Sequence, residues 1–405
     1  MERSPSALRA RGGHHLSLAS QVAGAPPALA VETFAGSATE WDAFVDGCAD
    51  ATHCHRYGWR GVLERVFGHE CIYLAARGGA GRLHGVLPLV RVRSPLFGHF
   101  LVSMPFLNYG GPIGDPAAVE ALVVAAASRA ASDRVSLLEL RNRAPIAIEP
   151  ASPAWHRSAR KITVVLDIPP DGPSTRPPGK GRKRTGGGAA PGAGDSAGAD
   201  RGPASALWTR IDAKVRSQVR RPQKEGVTVR FGADQLGAFY RVFARHMRDL
   251  GTPAQSRRLF EAIAAAFPED VWFGCAYLGD QPVAAGCGFL WRDEFEMTWA
   301  SALSAHKRLA PNMLLYWSFM ERAAERGVRA FNFGRCTPGG GTHRFKQQWG
   351  SRDEPLAWYD WSPGAGPAKT PSPDDSAYAW GPRIWKHLPV PLATALGPRI
   401  VKYIP

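Results

Sequence analysis

Between Cys71 and Val92 two apolar runs flank a glycine-rich turn: CIYLAA, then RGGAGRL, then HGVLPLVRV. Runs of this length, bounded by glycine and basic residues, predict a strand hairpin. Downstream, AAVEALVVAAASRAA reads as a helix and VSLLELR as a further strand. The same grammar returns later in the chain. VWFGCAYL, the turn GDQ and PVAAGCGFLW predict a second hairpin, FEMTWASA another strand, NMLLYWSFMERAAERG a helix and VRAFNFG a final strand. In that helix Leu314, Trp317, Met320 and Ala324 follow 3-3-4 spacing, which predicts one buried face. In each copy a basic residue, Arg141 or Arg335, marks the end of the last strand. The pattern predicts a duplicated α/β (α+β) lobe with mixed sheets flanked by helices.

A basic segment opens the second copy. In WTRIDAKVRSQVRRPQKEGVTVRF, Trp208, Ile211, Val215 and Val219 fall on one helical stripe, with Lys214, Arg216, Arg220 and Arg221 off it. Pro222 and Gly226 are expected to end the helix, and VTVRF to form a strand. A second amphipathic helix carries Leu236, Phe239, Phe243, Met247 and Leu250. From Pro169 to Ser205 the chain has no aromatic residue and is dense in Gly, Pro and Ala, the composition of a linker or surface insertion. The expected organisation is a leader over 1–30, a first lobe over 31–168, the linker over 169–205, a second lobe over 206–362 and a basic, aromatic tail over 363–405.

Composition narrows the function classes. The 405 residues carry a formal charge of +15, which favours anionic partners. Six cysteines without a CxxC pair argue for a reducing compartment rather than a disulfide framework. The His53-Cys54-His55 triplet lacks a second ligand pair at zinc-like spacing. No apolar run reaches the roughly 18 to 20 residues of a membrane span, and the leader lacks the apolar core of a signal peptide, so the expected location is cytoplasmic. The last segment, WGPRIWKHLPVPLATALGPRIVKYIP, mixes Trp, Leu and Ile with Arg and Lys, which suits either a membrane surface or packing along the body.

The ordered set of motifs, with APNMLLYW opening the second helix and RFKQQWG after the last strand, resembles the Fem family of peptidyl and aminoacyl transferases. FGHE, FLNYGGP, KVRSQVRRPQKEGVTVRF and LSAHKRLAPNMLLYW are similar to the exosortase (PEP-CTERM)-associated branch, which accompanies exopolysaccharide gene clusters. The resemblance covers residues 31–168 and 206–362. It implies two tandem GNAT-like acyltransferase lobes and transfer of an acyl or aminoacyl group onto an amine of a cell-envelope or exopolysaccharide precursor. It also implies no tightly bound cofactor, the donor being either acyl-coenzyme A or aminoacyl-tRNA. A non-catalytic module holding an anionic glycan or carrier lipid is the alternative, and nucleic-acid regulation a distant third.

Within the stretch FNFGRCTPGGGTHRFKQQWG, read as a site loop, the resemblance gives Lys346, after Phe345, a functional role: oxyanion stabilisation or a grip on phosphate. A surface lysine is the competing reading. His343 is the candidate proton acceptor, since imidazole titrates near neutrality. Arg335 and Arg344 bracket the glycines and suit bidentate binding of carboxylate or phosphate. Asn312, beside Pro311, opens the second helix, where free amides attract anions. GNAT enzymes bind the pyrophosphate of coenzyme A there with a glycine-containing loop; HKRLAPNM lacks those glycines. Lys214, Arg216 and Arg220 are candidates for a diphosphate or a tRNA backbone. Tyr316, Trp317, Asn108 and Tyr109 are candidates for lining the cleft, against the competing reading of core aromatics. For the tail, peripheral contact at the inner face of the membrane and packing along the body stay open as alternatives.

Overall fold

The computed structural model describes residues 29–94, 98–146, 154–158, 161–170, 203–364 and 380–404. Residues 1–28, most of the expected linker and the start of the tail lie outside them. The chain builds β1 (Ala30–Thr33), β2 (Glu70–Arg77), β3 (Leu83–Ser94), β4 (Gly98–Ser103), β5 (Ile113–Gly114), β6 (Leu137–Asn142) and β7 (Trp155–Ser158) into one sheet. It then leaves that sheet. β8 (Ile162–Asp167) joins a second one with β9 (Val227–Phe231), β10 (Val271–Leu278), β11 (Gln281–Trp291), β12 (Glu294–Ala302), β13 (Ala330–Cys336) and β14 (Arg352–Pro355). β15 (Ala357–Trp361) returns to the first.

The orders are β1-β2-β3-β4-β6-β15-β7, with β5 beside β3, and β14-β8-β13-β12-β11-β10-β9. Both halves therefore repeat antiparallel strands, a helix and a parallel last strand. The helices are Pro116–Ser132 and Pro311–Glu325, each opening on the proline that the missing amide permits. β4, which the apolar pattern did not mark, completes the match. Sheet membership does not follow the linear division at residues 169–205. β8 precedes the linker yet lies between β13 and β14, and β15 follows the second lobe yet lies between β6 and β7.

Three local expectations change. The basic stripe is two helices, Pro203–Arg210 and Ala213–Lys224, because the Asp212 side chain accepts the Lys214 amide proton at 2.7 Å and starts a new helix. Pro222 lies inside its last turn rather than ending it. The helix Pro311–Glu325 is buried nearly all round, not on one face, because those two helices cover its outer side. The GGGTHRFKQ segment is not a loop: Gly341–Gln347 is helical, which puts His343 and Lys346 on one face at i, i+3 spacing.

The halves share one apolar core. Trp59 and Phe267 pack on Phe289 with ring centres 5.3 and 5.9 Å away, joining residues of both sheets. Arg292, in the turn between β11 and β12, donates to the carbonyls of Val45, Asp46, Cys48 and Ala49 and so caps the helix Ala38–Gly47 of the other half. None of the six cysteines is in a disulfide.

Because each sheet contains a strand from the other half, residues 203–364 expressed alone are expected to give no cooperative thermal transition. Co-expression with residues 29–170 is expected to restore a soluble complex. A 203–364 fragment that melts cooperatively by itself would contradict the exchange.

Candidate functional site

The two parallel strand pairs each open into a fork. β12 and β13 are in register only from Glu294 with Ala330 to Glu296 with Asn332, although both strands continue further. Against β11 the register jumps from Gly288 with Met297 to Cys287 with Trp299, so Thr298 is the extra residue of a bulge at the mouth of the fork. Its buried hydroxyl has no hydrogen-bond partner among the described residues. On the facing strand, Gly334 takes a φ of +72°, a left-handed conformation that favours glycine, within the irregular register of β13 against β8. Diverging parallel strands leave main-chain donors and acceptors for an extended ligand to pair with. In the first half, β4 and β6 also part after Val102 and Glu139, but there the Arg141 amide donates to Ser103 Oγ at 2.7 Å.

The arginines that end the last strands have different fates. Arg141 donates to Glu139 at 2.6 Å and to the Leu107 carbonyl at 3.0 Å, filling its own fork. Arg335 makes no side-chain hydrogen bond or ion pair with any described residue. Both lie over the indole of Trp358, with guanidinium carbons 4.6 and 5.0 Å from the ring centre. Burial, then the repulsion of Arg141, lower the Arg335 pKa to about 10. Lys346 is 3% exposed and donates to the carbonyls of Gly334 at 2.6 Å and Arg335 at 3.0 Å. Burial holds its pKa down to about 8. An ammonium has three donors, so one remains for a ligand.

A buried polar cluster joins the halves beside the fork. His53 Nε2 donates to Glu296 at 3.2 Å, and Asn108 donates to the other oxygen of the same carboxylate. Burial alone would lower the His53 pKa, but Cys54 and Glu296 outweigh it and the imidazolium is favoured. Burial alone would raise the Glu296 pKa, but His53, Asn108 and Arg143 hold it below the usual carboxylate range. Tyr109 donates to Thr163 and accepts from Asn332, both at 3.0 Å. Arg143 pairs with Glu294 at 2.8 Å and Glu354 at 2.9 Å. It stands between a cavity of about 380 Å³, reached by Tyr109, Arg141 and Asn142, and one of about 140 Å³ that exposes His53 and Glu296.

The residues singled out in the sequence divide accordingly. Lys346 and Arg335 meet at the fork, and Tyr109 lies in the interlobe cluster. His343 is already committed: the Gly339 amide donates to Nδ1 at 2.9 Å, so the proton sits on Nε2 and is donated to Asp353 at 2.9 Å. Its ring has no lone pair free to take a proton. Arg344 is exposed on the opposite face of that helix. Asn312 is half-buried at the start of its helix. Tyr316 is a core residue, its ring 5.6 Å from Phe333 and 5.1 Å from Phe345. Lys214 and Arg220 are exposed, Arg220 over Trp208 at 5.2 Å, and Arg216 donates to the Ile211 carbonyl of its own segment. His55 is neutral in its surroundings: the Thr52 amide donates to Nδ1, Nε2 donates to the Gly111 carbonyl at 2.9 Å, and burial lowers its pKa to about 4. His53 and His55 thus turn to different partners. Sequence reasoning missed Glu296 and Thr298 and weighed His53 only as a metal ligand, whereas Asn108, read beside Tyr109 as a cleft residue, does lie in the cluster. A glutamate within the apolar strand FEMTWASA was the available signal.

The comparisons with known proteins bear on this second half first. Residues 210–347 match the acetyltransferase (GNAT) domain family. That span includes the fork and Lys346. Among solved structures, FemX superposes with a TM-score of 0.58 at 14% identity, over 82% of this chain and 97% of that one. The C-terminal domain assigned to a lysylphosphatidylglycerol synthetase of Agrobacterium fabrum gives 0.50 at 12% identity, over 81% and 92%. A conserved protein of unknown function from Bacteroides thetaiotaomicron gives 0.51 at 10%, over 83% and 100%. The fold is two tandem GNAT-like lobes. No curated protein matches the sequence.

Removing one member of a buried ion pair leaves the other charge uncompensated. His53→Ala is expected to cost about 3 kcal/mol in urea unfolding. Adding Glu296→Gln should return part of that loss rather than add to it. Additive losses would show that the two side chains are not coupled.

Proposed function

We propose that the protein is an acyltransferase that moves an acyl or aminoacyl group onto the amine of an anionic cell-envelope or exopolysaccharide precursor. The observation that carries the reading is the contrast between the forks. The first is filled by its own arginine. Among the described residues, the second keeps a guanidinium and a hydroxyl without a hydrogen-bond partner and a lysine with one donor left over. Charge supports the anionic substrate: His53 balances Glu296 and Arg141 balances Glu139, which leaves the charges of Arg335 and Lys346 unmatched.

In this reading the donor lies extended in the fork and the acceptor enters from the interlobe cavities. The amine nitrogen attacks the donor carbonyl, a C–N bond forms and the carbonyl oxygen becomes an oxyanion. The third proton of Lys346 stabilises that oxyanion. The C–S or C–O bond to the donor's carrier then breaks, and the proton lost by the amine goes to Glu296, the ionised carboxylate beside the fork. Arg335 holds the acceptor's carboxylate or phosphate. Acyl-coenzyme A and aminoacyl-tRNA are the two donor classes. One observation favours the non-catalytic alternative, a module that holds an anionic glycan or carrier lipid: Asn108 reaches from the first lobe to the point where the strands part.

Labelled acyl-coenzyme A and labelled aminoacyl-tRNA, each offered with an extract of envelope precursors, test the reading. Label should move from one donor with the wild type and not with Lys346→Ala. Transfer by Lys346→Ala at the wild-type rate would remove Lys346 from the mechanism, and no transfer from either donor would favour the binding module. Because the ammonium form is the one required, the rate should fall as pH rises through about 8. A rate that rises through the same range would make Lys346 a base.

Arg335→Ala is expected to raise KM for the acceptor by about tenfold or more with a much smaller change in kcat, the signature of lost ground-state binding. An unchanged KM would leave Arg335 as packing for Trp358.

A further inference from the structure

The C-terminal segment carries three of the five large apolar side chains that stand exposed among the described residues; Val124 lies elsewhere. Ile384 (57% exposed), Leu392 (45%) and Ile404 (41%) all stand into solvent within it, and Leu250 ends the helix on which it rests. Its helices are Trp380–Trp385 and Val390–Val401. Ala393, Gly397 and Val401 form the buried stripe. A Cβ at Gly397 would lie 2.8 Å from the Ala254 carbonyl oxygen, so close docking depends on the glycine. Arg248 donates to the Leu388 carbonyl at 3.1 Å, and His69 Nε2 to the Lys402 carbonyl at 2.9 Å, so both lobes hold the segment.

The outward stripe of the second helix is Leu392, Ala395 and Arg399. A solvent-facing helix side is normally polar; this one is apolar and ends in a cation. From Trp380 to Pro405 the sequence contains Arg383, Lys386, Arg399 and Lys402 and no Asp or Glu. Trp380, Trp385 and Tyr403 are residue types that favour the membrane–water boundary.

We infer that this docked helix pair is a membrane-binding face that seats on an anionic lipid bilayer. Ile384, Leu392 and Ile404 enter the boundary between headgroups and acyl chains, and the four cations meet lipid phosphates. Charge decides between a bilayer and a second copy of the chain: a symmetric contact would set four cations against four, whereas an anionic surface neutralises them. His69 also stacks at 5.6 Å on Phe67 and 6.2 Å on Phe106, which precedes Asn108 and Tyr109 in the loop that reaches the interlobe cluster. The inference stands apart from the transferase reading, because its readout is binding and not turnover.

The test is co-sedimentation of the full chain with vesicles of phosphatidylcholine alone and of phosphatidylcholine mixed with phosphatidylglycerol. Each cation near an anionic surface strengthens partition by about fivefold, so the mixed vesicles should bind the wild type at least about tenfold more tightly, and added salt should weaken this. Arg383→Glu with Lys386→Glu should abolish the preference, and Leu392→Glu should weaken binding to the mixed vesicles, with melting temperatures unchanged in both variants. Absent sedimentation, equal partition into both vesicles, or variants that bind like the wild type would overturn the inference. So would a dimer that Leu392→Glu dissociates in the absence of vesicle binding, which would assign the face to a second copy.

Discussion

Each sheet takes one of its strands from the other half of the chain. β8 lies between β13 and β14, and β15 between β6 and β7. Every main-chain hydrogen bond of those strands ties one half to the other, so separating the lobes would break sheet ladders and not merely a side-chain interface. That constraint lets charged groups sit between the lobes. His53, Asn108 and Glu296 are contributed from both sides and buried, and a buried pair of this kind persists only where the framework fixes its geometry. Arg292 adds to the fixation by satisfying the free carbonyls at the end of a helix in the opposite half.

The same exchange brings the duplicated arginines together. Trp358 travels with β15 into the first sheet, directly opposite Arg141, and from there its ring also meets Arg335. Two guanidiniums over one indole repel each other, and only Arg141 has a carboxylate of its own. The reason lies two positions upstream. The first lobe ends in Glu139-Leu140-Arg141, whereas the second ends in Phe333-Gly334-Arg335. In a strand, residues two apart share a face, so Arg141 carries its counter-ion beside it and Arg335 does not. Divergence at that position separates an arginine with a carboxylate beside it from one without.

Rigidity also suits acyl transfer, in which donors must be aimed at a developing oxyanion before it forms. Lys346 is aimed by two consecutive carbonyls, its helix is pinned by the His343–Asp353 bond, and the bulge at Thr298 and the left-handed Gly334 shape the two sides of the opening. The histidine that best resembled a base in the sequence has both ring nitrogens engaged, by the Gly339 amide and Asp353.

Periodicity alone determined most of the architecture: the hairpins, the helices, the duplication, and the prominence of Arg141 and Arg335; Lys346 stood out only through the family resemblance. Those signals are local, because strand and helix periods are written in neighbouring residues. The helical form of GGGTHRFKQ was not legible, since three glycines favour a turn until packing on β8 and β13 overrides them. Tyr316 could not be told from a cleft residue, because Phe331, Phe333 and Phe345, which bury its ring, meet it only in the fold. The exchange of β8 and β15, the meeting of Glu296 with His53 across 243 positions, and the lone state of Arg335 belong to the tertiary structure. Strand pairing and charge compensation depend on which distant segments become neighbours, and no local period encodes that.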